Sequence, residues 1–193
     1  MQRPGVGGAT LLAAEALPKP LPPRAPFDAP EERGGGATRN AVPIYGIAAH
    51  RILHHLVINM PVRTSALRGL GATLNVFAIE SFLDELAAEA GQDPLAYRLS
   101  VLADPRARAV LERAAAMASW QAGQPAGAGR GRGLAFARYK NMAAYCAVVA
   151  EVAVDEEVRV ERIWCAADTG LVINPDGAKN QLEGGVIHAI SWA

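Results

Sequence analysis

"AAYCAVVAEVAVDEEVRVERIWCAAD", residues 143–168, decides the fold class. Two runs rich in valine, alanine and aromatic residues flank the acidic tripeptide Asp155-Glu156-Glu157. Such runs read as two strands of a hairpin, because β-branched and aromatic side chains suit a pleated surface. A three-residue loop opposes Val154 to Val158 and Val152 to Val160 on one face. The other face then holds Glu151, Arg159 and Glu161. A two-residue loop would mix the faces, which a half-buried sheet disfavours. This register puts Cys146 and Cys165 on opposite faces and predicts no disulfide between them. Both read as buried free thiols. No CxxC pair occurs, so this chain alone offers no zinc or iron–sulfur site.

Upstream, "GLAFARYK" (133–140) reads as another strand, and "QAGQPAGAGRGRG" (121–133) as a flexible linker by composition. Before the linker stand three helices with short joints, over residues 75–120. Asn75 reads as the cap of the first, whose stripe is Val76, Ile79, Leu83, Leu86 and Ala90, with Gly91 as its stop. Glu80, Asp84, Glu85 and Glu89 fall off that stripe and are expected to face water. Asp93-Pro94 and Asp104-Pro105 open the second and third helices, each a cap followed by proline at the first helical position.

Residues 1–46 are dense in proline and glycine and read as an extended connector, with one or two helical turns in "ATLLAAEAL" (9–17). Phe27, Ile44 and Tyr45 look like its anchors. Residues 47–60 read as one strand, on which His54 and His55 face opposite ways, one packed and one solvated. At the other end, Asp168-Thr169-Gly170 is a turn, and Asp176 can cap a helix with Ala178, Leu182, Val186, Ala189 and Ile190 on one side. Gly184-Gly185 inside that helix costs about 1 kcal/mol per glycine relative to alanine, which suggests close approach of a backbone or a ligand. The chain stops in mid-helix at Ala193, as an internal slice of a longer protein would.

The whole is α+β: an extended N-terminal segment, a three-helix block, an antiparallel hairpin and a C-terminal helix. Composition is ordinary for a globular protein, with 51% hydrophobic and 20% charged residues among 193. A formal net charge of +0 carries no electrostatic footprint for nucleic acid or an anionic membrane. No apolar run approaches the roughly 18 residues of a membrane span.

The blocks "RTSALRGLG" (63–71), "NVFAIESFLDELAAEAGQDPLAYRL" (75–99), "AAYCAVVAEVAVD" (143–155) and "RVERIWCAADTGLVINPDGAKNQLEGGVIHAI" (159–190), in that order, resemble a known family. It is the molybdenum-cofactor-binding large subunit of the xanthine dehydrogenase/aldehyde oxidase family, in its isoquinoline 1-oxidoreductase or nicotinate dehydrogenase branch. The resemblance implies partial molybdopterin-binding domains: 1–74 the C-terminal part of a first, 75–193 the N-terminal part of a second. It implies a molybdenum–molybdopterin cofactor, with the cytosine dinucleotide form expected. It implies cofactor contacts from Arg68, Gly69 and Gly71 on one turn and from Gln181 and Gly184 on the last helix, with Leu70 lining the substrate slot. Side-chain-free turns suit the first task, because the main chain can approach a bulky group without a Cβ clash. No residue here is expected to bind the metal directly. The family's catalytic glutamate is expected beyond Ala193, and Glu183 is no substitute.

The implied reaction is hydroxylation of an N-heteroaromatic or aldehyde substrate with water as oxygen source. The implied partner is an iron–sulfur small subunit, and the branch allows a cytochrome electron acceptor and either a cytoplasmic or a periplasmic setting. The rival reading is a truncated gene product without independent activity.

Overall fold

The computed structural model of the chain describes residues 16–19, 28–57, 66–123 and 127–193. Among these residues four α-helices, α1 (Ala72–Glu89), α2 (Pro94–Val101), α3 (Pro105–Met117) and α4 (Pro175–Ile190), accompany strands β1 (Arg130–Arg138), β2 (Tyr145–Val154) and β3 (Val158–Asp168). The strands form one antiparallel sheet in the order β1-β2-β3. This is the α+β arrangement expected of the sequence.

The helix signals act locally, and most hold. Asp93 accepts from the Leu95 and Ala96 amides, and Asp104 from those of Arg106 and Ala107. Gly91 (φ +62°) ends α1 with Gly91 N–H bonded to Ala88 O and Gln92 N–H to Ala87 O, a Schellman motif. Two caps fall elsewhere. α1 begins at Ala72, and Asn75 lies inside it, donating through Nδ2 to the carbonyls of Ala37 (2.8 Å) and Arg39 (2.9 Å). α4 is capped by Asn174, whose Oδ1 accepts from Gly177, with Pro175 rather than Asp176 following it.

The core lies between α3 and the inner face of the sheet. Leu134, Phe136, Tyr145, Ala147, Val149 and Ala166 face Ala107, Val110, Leu111 and Ala114. Alanines at the contact let helix and sheet approach closely, and Ala107, Ala114 and Ala147 are fully buried. Tyr45 inserts from the N-terminal segment and Ile44 packs beside it, as anchors should. Phe27 and residues 9–15 lie outside the described residues. Residues 47–57 are irregular rather than a strand. His54 lies 3.7 Å from Asp28, and His54 and His55 are both exposed. In an extended chain His50 and His54 would interrupt one face of this run and Arg51 and His55 the other, so neither face is continuously apolar.

Two further departures are informative. Glu80 is buried on α1, not solvated: Ala72, Glu80, Leu83 and Ala87 make the covered stripe. Its carboxylate accepts from Tyr45 Oη (2.8 Å), Arg98 Nε (3.0 Å) and the Phe136 amide (2.9 Å). Burial raises its pKa above the ordinary carboxylate range, against the pull of Arg98 and these donors. In the hairpin, Val154 does oppose Val158 and Val152 does oppose Val160. Between Glu151 and Val152 the register then shifts, so that Glu151 opposes Arg162 and Glu161 is the extra residue. A bulge of one residue exchanges the faces beyond it. Cys146 and Cys165 therefore share a face, with their sulfurs 3.5 Å apart.

Candidate functional site

The turn before α1 is built from residues with unusual backbone geometry. Leu70 N–H bonds to Leu67 O (3.1 Å), with Gly69 at φ +88° and Leu70 at φ +54°. A glycine takes such an angle freely, but a leucine in the left-handed region costs about 1–3 kcal/mol. Strain of this kind concentrates where a binding surface fixes the chain, so Leu70 is a functional candidate on geometry alone. Thr73 Oγ1 donates to Arg68 O and steadies the turn.

Gly71 faces the other way. Its N–H bonds to Gly36 O (3.0 Å), and a Cβ there would lie 2.2 Å from Ala37 O. The glycine requirement at 71 is thus met by the chain's own Gly34–Ala37 loop. That loop is tied down by Arg39, which donates to Gly34 O (2.9 Å) and Gly35 O (2.7 Å), and by Asp28, which accepts from the Ala37 amide.

Arg68 reaches from the turn to α4. Its Nη2 donates to both the backbone oxygen and Oε1 of Gln181, each at 3.0 Å. Its guanidinium lies over the glycine pair: a Cβ on Gly184 or Gly185 would sit 3.6 or 3.7 Å from its nitrogens. The two blocks singled out in the sequence, 113 residues apart, thus form one exposed seam. Arg68, Gln181 and Gly184 meet there, Gly69 and Leu70 flank it on the turn, and Gly71 supports it from behind. Glu183 turns away and pairs with Lys179 at 3.6 Å.

A second exposed pairing was not legible in the sequence. Asp168 receives Arg106 through two bonds of 2.7 Å, and that guanidinium lies 4.8 Å from the Tyr145 ring centre. The Arg106 bonds, with the Gly170 amide, hold the Asp168 carboxyl down at about 2. Among the described residues no group of three or more histidine, cysteine or acidic side chains could hold a metal ion. No described helix is long and apolar enough to cross a membrane.

The class of protein these features define is a mixed α+β domain piece with one exposed arginine–glutamine seam between a glycine turn and a helix. Residues 63–193 match the family model of the molybdopterin cofactor-binding domain, and the chain belongs to that family. It is 40% identical over 169 residues to a nicotinate dehydrogenase polypeptide of Pseudomonas putida, covering 79% of this chain and 14% of that protein. It is 37% identical over 164 residues to the beta polypeptide of isoquinoline 1-oxidoreductase from Brevundimonas diminuta, covering 82% of this chain and 20% of that protein. A membrane-bound aldehyde dehydrogenase of Gluconacetobacter polyoxogenes is 26% identical over 168 residues, 76% of this chain and 22% of that protein. The chain thus spans about a fifth or less of the length of the first two. The branch read from the motifs is the one these two carry in their names.

The seam suits a pterin cofactor in chemistry. Among the described residues, Arg68 Nε and Nη1 and the Gln181 amide nitrogen make no other hydrogen bond, and both side chains are exposed. They are donors for oxygen acceptors, beside a stretch of helix surface that carries no side chain.

Proposed function

We propose that the Arg68–Gln181 seam is a wall of the molybdenum–molybdopterin site in a molybdenum hydroxylase. Arg68, Gly69, Gly71, Gln181 and Gly184 hold the cofactor or shape its bed, and Leu70 borders the substrate. The observation carrying this reading is the meeting of "RGLG" and "QLEGG" through Arg68. When bound, the cofactor supplies the two-electron redox chemistry, while the chain supplies position and donors. The cytosine dinucleotide form, an iron–sulfur small subunit as electron acceptor and a further cytochrome belong to the same proposal. So does the substrate class, an N-heteroaromatic or an aldehyde, to which the names of the three relatives point. The proposal includes the division at residue 74 between parts of two molybdopterin-binding domains.

The test is molybdenum and pterin content of the full-length protein carrying Arg68→Ala or Gln181→Ala. Gly69 is a poor probe, since any side chain at φ +88° breaks the turn and meets Thr73 Oγ1 at 2.5 Å. Loss of one charge-assisted hydrogen bond is expected to weaken retention about tenfold in Arg68→Ala, equivalent to about 1.4 kcal/mol. Full occupancy in both variants would remove the seam from the cofactor site. Leu70→Phe keeps the backbone demand unchanged and is expected to alter substrate preference; equal loss on every substrate would argue against a slot role.

A further inference from the structure

The outer face of the sheet carries Gly131, Gly133, Ala135 and Ala137 on β1, then Cys146, Val148, Ala150 and Val152 on β2. On β3 it carries Val160, Ile163, Cys165 and Ala167. It holds no charged side chain and two thiols. Cys146 lies between Ala137 and Ala167, and Cys165 opposite Val148. The bulge at Glu161 creates this pairing, because an unbroken register would part the cysteines to opposite faces.

We propose that Cys146 and Cys165 form a redox-active dithiol, oxidised by a peroxide to a disulfide that staples β2 to β3. Their sulfurs are 3.5 Å apart, so closing to the bond length of about 2.05 Å asks for roughly 1.5 Å of combined movement. Alanine neighbours leave room for the side-chain rotation. Both thiols are free and half-buried. Among the described residues no third histidine, cysteine or acidic side chain joins the pair to hold a metal. Cys165 is the attacking sulfur in this proposal: the contact with Cys146 holds its thiol below the usual range, while the same contact and burial push Cys146 up.

The steps balance. The Cys165 thiolate attacks one peroxide oxygen, the O–O bond breaks, and hydroxide leaves to take a proton, giving a sulfenic acid and water. The Cys146 sulfur then attacks the Cys165 sulfur, the S–O bond breaks, and a second water departs with the Cys146 proton. Two thiols lose two electrons in all and one hydrogen peroxide gains them. The staple would fix β3 three residues before Asp168, where the chain turns toward α4 and the seam.

The experiment is peptide mapping of the full-length protein after brief exposure to hydrogen peroxide under native conditions, with alkylation before digestion. The expected product is a peptide pair joined through 146 and 165, lighter by two hydrogens and separated again by dithiothreitol. Cys146→Ser is expected to abolish the link and leave a sulfenic acid on Cys165 that dimedone traps, with an unchanged circular dichroism spectrum. Two thiols that remain alkylatable, links only between different molecules, or oxidation of Cys165 without any link in the wild type would each overturn the proposal. If Cys146→Ser fails to fold, the wild-type map alone decides, since it needs no variant.

Discussion

Arg98 and Arg68 both cross from one element to meet a backbone carbonyl and a side chain of another, in opposite surroundings. Arg98 has no exposed side-chain surface. It bonds Glu80 Oε2 (3.0 Å), Glu80 O (2.9 Å), Asp84 Oδ1 (2.6 Å) and Pro94 O (3.2 Å). Tyr45 and the Phe136 amide complete the carboxylate's shell, so the network closes on itself. Arg68 is exposed, makes two bonds through one nitrogen, and leaves donors outward. A closed network locks α1, α2, β1 and the N-terminal segment together. An open one offers chemistry to a ligand. Burial, not residue type, separates these two arginines, and under the proposed function it separates a structural one from a binding one.

Arg98→Ala presses hardest on that contrast. It strands Glu80 as a buried carboxylate and is expected to destabilise the protein by about 3–5 kcal/mol. Denaturant unfolding of the full-length protein reads this, and a loss below about 1 kcal/mol would mean the network is not closed. Tyr45→Phe removes one hydrogen bond to that carboxylate and leaves its ring in the core. About 1.5–3 kcal/mol is expected, with no change in molybdenum content. Arg68→Ala should do the reverse, moving stability by no more than about 0.5 kcal/mol while cofactor retention falls. If Arg68→Ala unfolds the protein as Arg98→Ala does, the two arginines are alike and the seam is structural.

The smallest effect concerns pH. The folded-state carboxyl of Asp168 lies at about 2, below its ordinary value near 3.9. Its contribution is therefore present above the ordinary value and lost as pH falls toward the folded one. Acid unfolding should show a small component between about pH 4 and 2 that Asp168→Asn removes. An identical acid profile in that variant would dismiss the pairing with Arg106 as a solution feature.

Local chemistry was the part of this protein that could be read directly. Proline after aspartate set the starts of α2 and α3, glycine at a positive φ set the stop of α1, and valine alternation set the hairpin loop. Each of these depends on neighbours within a few residues. The motif blocks likewise named the family and picked out both sides of the seam. What lay beyond reach depended on distant partners. Asn75 looked like a cap because its acceptors, Ala37 and Arg39, lie far back in the chain. Glu80 looked solvated because the Arg98 that neutralises it is 18 residues away, although the 72-76-80-83-87 spacing ran a helical stripe through it. The bulge at Glu161 had no sequence mark, yet it moved one cysteine across the sheet.

By itself the sequence determined where α2 and α3 begin, where α1 stops, where the hairpin turns and which family the chain belongs to, since short-range backbone chemistry and motif order carry that information. Tertiary structure alone decided which arginine is sealed, which charge is buried and which two sulfurs meet. Burial and long-range contact follow from how the elements pack, and no short window of residues encodes them.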